Sequence, residues 1–413
     1  MSISIIKSCR ISHDKNLISI LSLGEQYLTG VFPRKKNTKI TKGPLELVWS
    51  PESQLLQLKH SYDLNEMYGE NYGYRSGLNQ SMVTHLTNKI HNLEKKADLK
   101  TGDFVIDIGS NDATSLKAYT KKGIKRIGID PTGEKFRKYY TDDILLIPDF
   151  FPCAALKNKM GKSGATIITS IAMFYDLEDP IAFAKNIHDN LHKYGIWHFE
   201  QSYMPSMLRL NSYDTICHEH IEYYSLFNIK YILDRADMKL IDVQMNGING
   251  GSFAVTAARK DSSLKANDVL INWLFEQELK MGLDTPKPFR DFEDRVYKHR
   301  ESLRTLIDAL NSDKKKILGY GASTKGNVVL QFCNFSGKDL AGIVEVNPDK
   351  FGCYTPGTQI PIISEKEASR IKPDYYLVLP WHFKDGIVRR EQEFLSRGGK
   401  LIFPFPEIEI IGG

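Results

Sequence analysis

The sequence predicts an α/β protein in which a small β-rich lobe precedes two open strand-and-helix units, and three observations carry this reading. FVIDIGSND, residues 104–112, reads as a buried, largely β-branched strand that stops at Gly109 and turns into a helix near Ala113. From 102 to about 240 the pattern alternates strands with helices, as a doubly wound parallel sheet requires. A second strand and glycine loop, KILGYGASTKGN, opens at residue 316.

Each element follows from its residues. Residues 1–70 carry short apolar alternations (ISII, LISILSLG, LELVW, LLQLKH) between Pro, Gly and Lys clusters, the mark of a β-rich lobe. MYGENYGYRSGLNQSM, residues 67–82, is a tyrosine- and glycine-bearing loop, readable as a lid or as packed aromatic anchors, ahead of a helix over 82–97. In the unit over 71–261 the expected strands are 104–108, 126–130, 143–147, 165–169, 195–200 and 239–244. Ligands of an open α/β sheet sit at the carboxyl ends of its strands, which singles out Gly109, Asp130, Asp149 with Phe150, Ser170 and Glu200. Gly109 lets a ligand approach the backbone, and Asp130 is placed to accept ribose hydroxyls. GSNDAT lacks the three-glycine dinucleotide pattern, so a pyrophosphate is not expected there.

Residues 201–225, QSYMPSMLRLNSYDTICHEHIEYYS, form a long insertion without evident regular structure, and such loops are usually functional. Their centre is Cys217, His218, Glu219 and His220. H-E-H lacks the i, i+4 spacing that puts two imidazoles on one helical face, so general base chemistry fits better than a metal. Glu219 would orient or polarise the base, and His218 reads as a structural histidine. Asn249 to Ser252 then allow either close backbone approach to a ligand or a tight hairpin. Residues 262–312 read as connecting helices. In the last unit, 313–413, Gly319, Gly321 and Gly326 with Lys325 could cradle a phosphate, and Trp381 and His382 at a strand end could clamp a ring.

Composition bounds the function. At 413 residues the chain has room for about three domains. A charged fraction of 25%, a hydrophobic fraction of 41% and a net charge of +5 suit a soluble protein and do not imply nucleic acid. No apolar run reaches the roughly 18 residues of a membrane span, and the N-terminus lacks a secretory core, so a cytoplasmic location is expected. Five scattered cysteines without a C-x-x-C pair predict reduced thiols.

Taken together, Y-G-Y-R-S at 72–76, D-I-G-S-N-D at 107–112, H-E-H-x-x-Y-Y-S at 218–225, G-G-S at 250–252, G-A-S-T-K-G-N at 321–327, P-G-T-x-I-P-I at 356–362 and L-P-W at 379–381 carry a resemblance over nearly the whole chain. The sequence resembles the S-adenosylmethionine-dependent C-methyltransferases of nucleotide-linked keto-deoxysugars. That resemblance implies a zinc-binding N-terminal lobe, a central class I methyltransferase domain with a Rossmann-like sheet, and a C-terminal Rossmann-like domain that helps hold the nucleotide sugar. It also implies that a histidine removes the proton beside a ketone before the enolate is methylated. On it, His220 matches the base, Glu219 its neighbouring carboxylate, and Tyr74 an active-site tyrosine. Asp107, Gly109, Ser110, Asn111, Asp130, Asp149, Phe150 and Ser170 fall on the cofactor side. Tyr72, Cys217, Tyr224, Asn249, Lys325, Trp381 and His382 fall on the substrate side.

The departures are specific. Where the family has two C-x-x-C pairs, this chain reads C-R-I-S at 9–12 and S-P-E-S at 50–53, so zinc is not expected. Cys217 replaces a tyrosine and Phe174 a histidine, which would remove polar groups near the substrate. Methylation of oxygen or nitrogen is the nearest rival, and a non-catalytic nucleotide-sugar-binding protein the next. The oligomeric state is left open.

Overall fold

The structure, a computed structural model, describes residues 3–63, 67, 74–161 and 163–412. The central sheet has seven strands. In spatial order they are Met238–Asn246, Ser252–Arg259, Leu191–Ser202, Ala165–Ile171, Phe104–Ile108, Lys125–Ile129 and Ile144–Ile147. The last five are mutually parallel, and every residue of Phe104–Ile108 is buried between two parallel neighbours. Ser252–Arg259, beyond the stretch expected to form the parallel sheet, is antiparallel to both its neighbours. The connection after Asn246 is only a short turn, and a turn that short can join antiparallel strands alone. Asn249 and the Gly250–Gly251 pair therefore form a hairpin. The strand order reverses between Phe104–Ile108 and Ala165–Ile171, so the ligand crevice of this sheet opens above Gly109.

The C-terminal domain repeats the plan. Its six strands run in the order Ile362–Ser364, Ile343–Glu345, Ile317–Tyr320, Tyr375–Val378, Lys400–Phe403 and Glu409–Ile411, parallel except for the last. Its own switch point lies between Ile317–Tyr320 and Tyr375–Val378. Two helices, Asp268–Lys280 and Lys287–Ser312, link the sheets. No described helix is long and apolar enough to cross a membrane.

The N-terminal lobe is a four-stranded antiparallel sheet, and its edge strand is borrowed. Glu222–Tyr223, just beyond the H-E-H sequence, pairs with Gln57 and Leu56, and Leu58 N–H donates to the Ile221 carbonyl at 2.8 Å. The 201–225 segment is thus more regular than its sequence suggests, with a short helix at Met204–Arg209 before that strand. Its apolar side chains, among them Met207, Tyr213, Ile216 and Cys217, share one core with Leu45 and Leu47 of the lobe, Phe289 and Phe292 of the long helix, and Leu318 and Leu377 of the C-terminal sheet. The central sheet has a separate core around Trp197, Phe199 and Ile229. Burial in this shared core, worth roughly 1.5 to 3 kcal/mol per large side chain, fixes the loop that carries the histidines.

At the positions of the two C-x-x-C pairs stand Cys9, Ser12, Ser50 and Ser53. The Cys9 thiol lies 3.1 Å from the Ser53 hydroxyl, and the Ser12 and Ser50 hydroxyls are 3.5 Å apart. Burial works to raise the Cys9 thiol, yet the hydroxyls of Ser12 and Ser53 and the N–H groups of Ser12 and Ile11 leave it below its usual range. One sulfur and three alcohols are a poor donor set for zinc, and they satisfy one another by hydrogen bonding instead. Nearby Arg10 is buried and bonds Gln57, the Leu58 carbonyl, Ser61 and Glu178, tying the lobe to the central domain.

Candidate active site

Above the central switch point lies a cavity of about 350 Å³, within the range of a small-molecule site. Its floor is built by a run of unusual backbone. Gly109 sits at φ +74°, where an added Cβ would lie 3.3 Å from Met173 Cγ, and Asn111 and Ala113 are left-handed at +49° and +60°. Asp130 holds this turn in place. One carboxylate oxygen accepts the Asn111 N–H at 2.7 Å, the other the Thr132 N–H at 2.7 Å and hydroxyl at 2.6 Å. The oxygen facing Asn111 keeps acceptor capacity for a ligand. The helix after the turn, Thr114–Lys117, is a single turn long, so acidic side chains rather than a helix dipole dominate the crevice.

Asp107 lines the cavity and accepts the Thr169 hydroxyl at 2.6 Å. Burial, with the Asp130 charge adding to it, pushes its carboxyl up to about 7. Ser110 pairs with the Tyr140 hydroxyl at 2.8 Å, and Tyr140 also donates to the Asn111 carbonyl, a brace that its place in a polar tyrosine pair did not advertise. Asp149 and Phe150 are at the rim, where Asp149 accepts the Phe150 N–H and the ring is 47% exposed. Ser170 is not among these groups: it is fully buried and accepts the Trp197 indole N–H at 2.9 Å.

His220 enters the same cavity from the borrowed-strand loop. Its Nδ1 lies 2.9 Å from the Thr215 carbonyl, so Nδ1 carries the proton and Nε2 is left as a lone-pair base. Burial, and after it the positive charge of Lys325, lowers this imidazole to about 4, so it is neutral at pH 7. The expected partner Glu219 does not orient it. Its carboxyl is turned to the N-terminal lobe, where a Cβ on Gly30 would lie 2.7 Å from Oε1, and burial pushes the acid up, towards its neutral form. The carbonyl reached first in the turn, Thr215, does the orienting. His218 is buried away from the cavity, 3.5 Å from the Gly43 carbonyl and edge-on to Tyr62.

Tyr74 lines the mouth and is 51% exposed. The Asn111 side chain ties its segment down, donating to the Tyr74 carbonyl and accepting the Ser76 N–H, both at 3.1 Å. Tyr72 lies outside the described residues. Cys217 lines the cavity as a thiol, which burial pushes well above its usual range. Asn249, left-handed at φ +55°, gives its carbonyl to Lys325 Nζ at 3.0 Å. Lys325 therefore reaches across to this cavity and does not line the one beside Gly321 to Ser323 in its own domain. Trp381 lies behind the hairpin, where its ring would be 2.8 Å from a Cβ on Gly250 and its indole N–H donates to Asp214 at 2.8 Å.

Tyr224 and Phe174 are elsewhere. Both are buried, stacked at 5.4 Å, with Tyr224 donating to Glu222 and Phe174 packed on Trp197 and Phe199. A phenylalanine at 174 therefore takes no polar group from the cavity, which is lined by its neighbour Tyr175, edge-on to His220 at 4.3 Å. The sequence reading also passed over His85 and Lys89, four residues apart on Gln80–Ala97, which clamp Glu200 at 2.6 and 2.8 Å. Against its burial, these two partners hold Glu200 at about 2, a fixed anion on the cavity wall. A lysine on the buried side of an amphipathic helix was the available signal.

A second cavity, of about 690 Å³, opens at the C-terminal switch point and contains His382. Glu345 there accepts the N–H groups of Ala322, Val346 and Asn347 at 2.9, 2.7 and 2.9 Å, repeating what Asp130 does in the first.

Three family models match successive parts of the chain. One described as "Putative zinc binding domain" matches residues 9–68, a methyltransferase domain matches 81–243, and a C-methyltransferase C-terminal domain matches 247–406. The curated C-methyltransferase NovU of Streptomyces niveus is 27% identical over 409 residues, covering 98% of this chain and 97% of NovU. Among solved structures, a SAM-dependent methyltransferase from Aquifex aeolicus aligns at 17% identity and a TM-score of 0.31, covering 43% of this chain and 97% of that one. Magnesium protoporphyrin IX methyltransferase from Synechocystis, with bound SAM, aligns at 12% identity and a TM-score of 0.32, covering 43% of this chain and 79% of its own.

Proposed function

Because the chain belongs to the S-adenosylmethionine-dependent C-methyltransferase family, we propose that it methylates a carbon of a nucleotide-linked keto sugar, with His220 generating the enolate. One observation carries the reading: an imidazole fixed through Nδ1, with Nε2 free, lines the same cavity as the Gly109 to Asp130 crevice. Asp107, Gly109, Ser110, Asn111, Asp130, Asp149 and Phe150 would hold the cofactor, and the acidic lining suits a cation. S-adenosylmethionine, when bound, supplies an electrophilic methyl group. A carbon beside a carbonyl is too weak an acid to meet it unaided, so a neutral base within hydrogen-bond reach is what the chain must add. The second cavity, with its Glu345 cradle, suits the nucleoside end of the acceptor.

The test is the product. Incubation with S-adenosylmethionine and nucleoside-diphosphate keto sugars is expected to place the new methyl on the carbon next to the ketone, read by NMR. A methyl on oxygen or nitrogen rejects the reading in favour of a heteroatom acceptor.

We propose further that the N-terminal lobe works without zinc, since the Cys9 and serine donors are bonded to one another. Untagged protein is expected to carry far less than one zinc per chain, and its unfolding midpoint to be indifferent to chelator. Stoichiometric zinc, or unfolding by chelator, would show the opposite.

A further inference from the structure

We propose that Lys325 is a catalytic residue, the cation that receives the oxygen charge formed when His220 removes the proton beside the substrate carbonyl. This rests on the enolate reading above and adds a group from a different domain to it. Among the described residues lining the central cavity, Lys325 is the lone lysine or arginine, set among Asp107, Asp130, Asp149, Asp176, Glu200 and Glu219. Such a wall favours positive charge, and Lys325 is the fixed cation on it among the described lining residues.

The side chain is held for that purpose. Its Nζ donates to the Asn249 carbonyl at 3.0 Å, which leaves two N–H directions. Asp214, which accepts the Trp381 indole N–H at 2.8 Å, adds a charge interaction that favours the ammonium form. Burial strips water from the ammonium and lowers its pKa, so its remaining protons are preorganised donors in a weakly screening site. Its charge also reaches His220, where it opposes protonation of the imidazole. Base and cation therefore face one small volume, as abstraction beside a carbonyl requires. In the step, the C–H bond breaks, its proton goes to His220 Nε2, its electron pair forms the enolate double bond, and the carbonyl π pair moves to the oxygen that Lys325 Nζ holds.

The bland account is a tie between domains, Nζ to the Asn249 carbonyl. Lys325→Gln separates the two, because an amide N–H can keep the tie but carries no charge. The experiment follows deuterium uptake from D₂O at the carbons flanking the ketone of a nucleoside-diphosphate 4-keto-6-deoxyhexose, with S-adenosylhomocysteine present and no methyl donor. Lys325→Gln and Lys325→Met are both expected to slow uptake by about 10²- to 10³-fold, the cost of one oxyanion donor, with Lys325→Arg restoring part of it. NMR of His220 in Lys325→Gln should show its pKa rising from about 4, a readout independent of substrate. Uptake lost in His220→Asn but near normal in Lys325→Gln overturns the Lys325 role and leaves the base reading standing. Uptake that survives His220→Asn overturns the base reading instead. Wild-type protein that exchanges nothing overturns both, and so does Lys325→Gln with an unmoved His220 for the Lys325 role alone.

Discussion

Replacing His220 with asparagine is expected to lower turnover by about 10²- to 10⁴-fold while cofactor affinity stays nearly constant, the signature of a lost general base. Asparagine can still donate to the Thr215 carbonyl that His220 bonds at 2.9 Å, so the loop should keep its shape and only the basic nitrogen is removed. The pH profile makes the expectation sharper. An imidazole lowered to about 4 is neutral and competent above that pH, and is lost as a base only on acidification through it. At saturating cofactor, kcat/KM for the acceptor should therefore be nearly flat from pH 8 to 5.5, where an ordinary imidazole would have lost about tenfold. Turnover within a few fold of wild type in His220→Asn, or an acid limb near 6.5, would remove His220 from the role.

The turn between Gly109 and Asp130 was legible in the sequence because its signals are local. A buried β-branched strand, a glycine and an acid after the next strand lie within thirty or so residues, and the structure joins them through the Asn111 N–H bond to Asp130. What failed to show was parity and reach. Thr169 bonds Asp107 and Ile171 lines the cavity, so alternation along Ala165–Ile171 turns Ser170 to the opposite face and onto Trp197. The same one-residue offset gives the cavity Tyr175 and the core Phe174. Strand ends can be read from hydrophobicity, but the face a residue takes at the end depends on where the pleat stops.

Reach is the larger omission. The resemblance put Lys325 and Asn249 on the substrate side, but their contact, across 76 positions and two domains, was not readable from the residues, which showed Lys325 as part of a glycine loop. Likewise the borrowed strand Glu222–Tyr223 pairs with residues near position 57, and nothing in its two residues signals that. The H-E-H loop owes its position to this pairing and to the shared core of lobe, long helix and C-terminal sheet. The lobe therefore holds the segment that carries His220 and Glu219 in place. Gly30 makes the point locally, since any side chain there would press on the Glu219 carboxyl.

Cofactor binding is expected to depend on Asp130 and, through Asp107, on pH. Asp130→Ala should weaken S-adenosylmethionine by about 1 to 3 kcal/mol, the usual worth of hydrogen bonds to a charged group, as measured by calorimetry. Asp130→Asn should lose less, because one oxygen can still accept the Asn111 N–H. Asp107 adds the pH term. Its folded pKa of about 7 lies above the ordinary carboxylate value, so in free enzyme it contributes stability that is present below about pH 4 and lost as pH rises through 7. Above 7 the free protein carries a buried, desolvated charge next to Asp130, and a cationic ligand relieves it. Affinity should accordingly fall on acidification from pH 8 to 6, by no more than about tenfold per unit for one proton, and the thermal shift on adding S-adenosylmethionine should shrink over the same interval. In Asp107→Asn both trends should flatten. Affinity that rises towards pH 6, or a pH trend unchanged by Asp107→Asn, would detach this carboxyl from the cofactor.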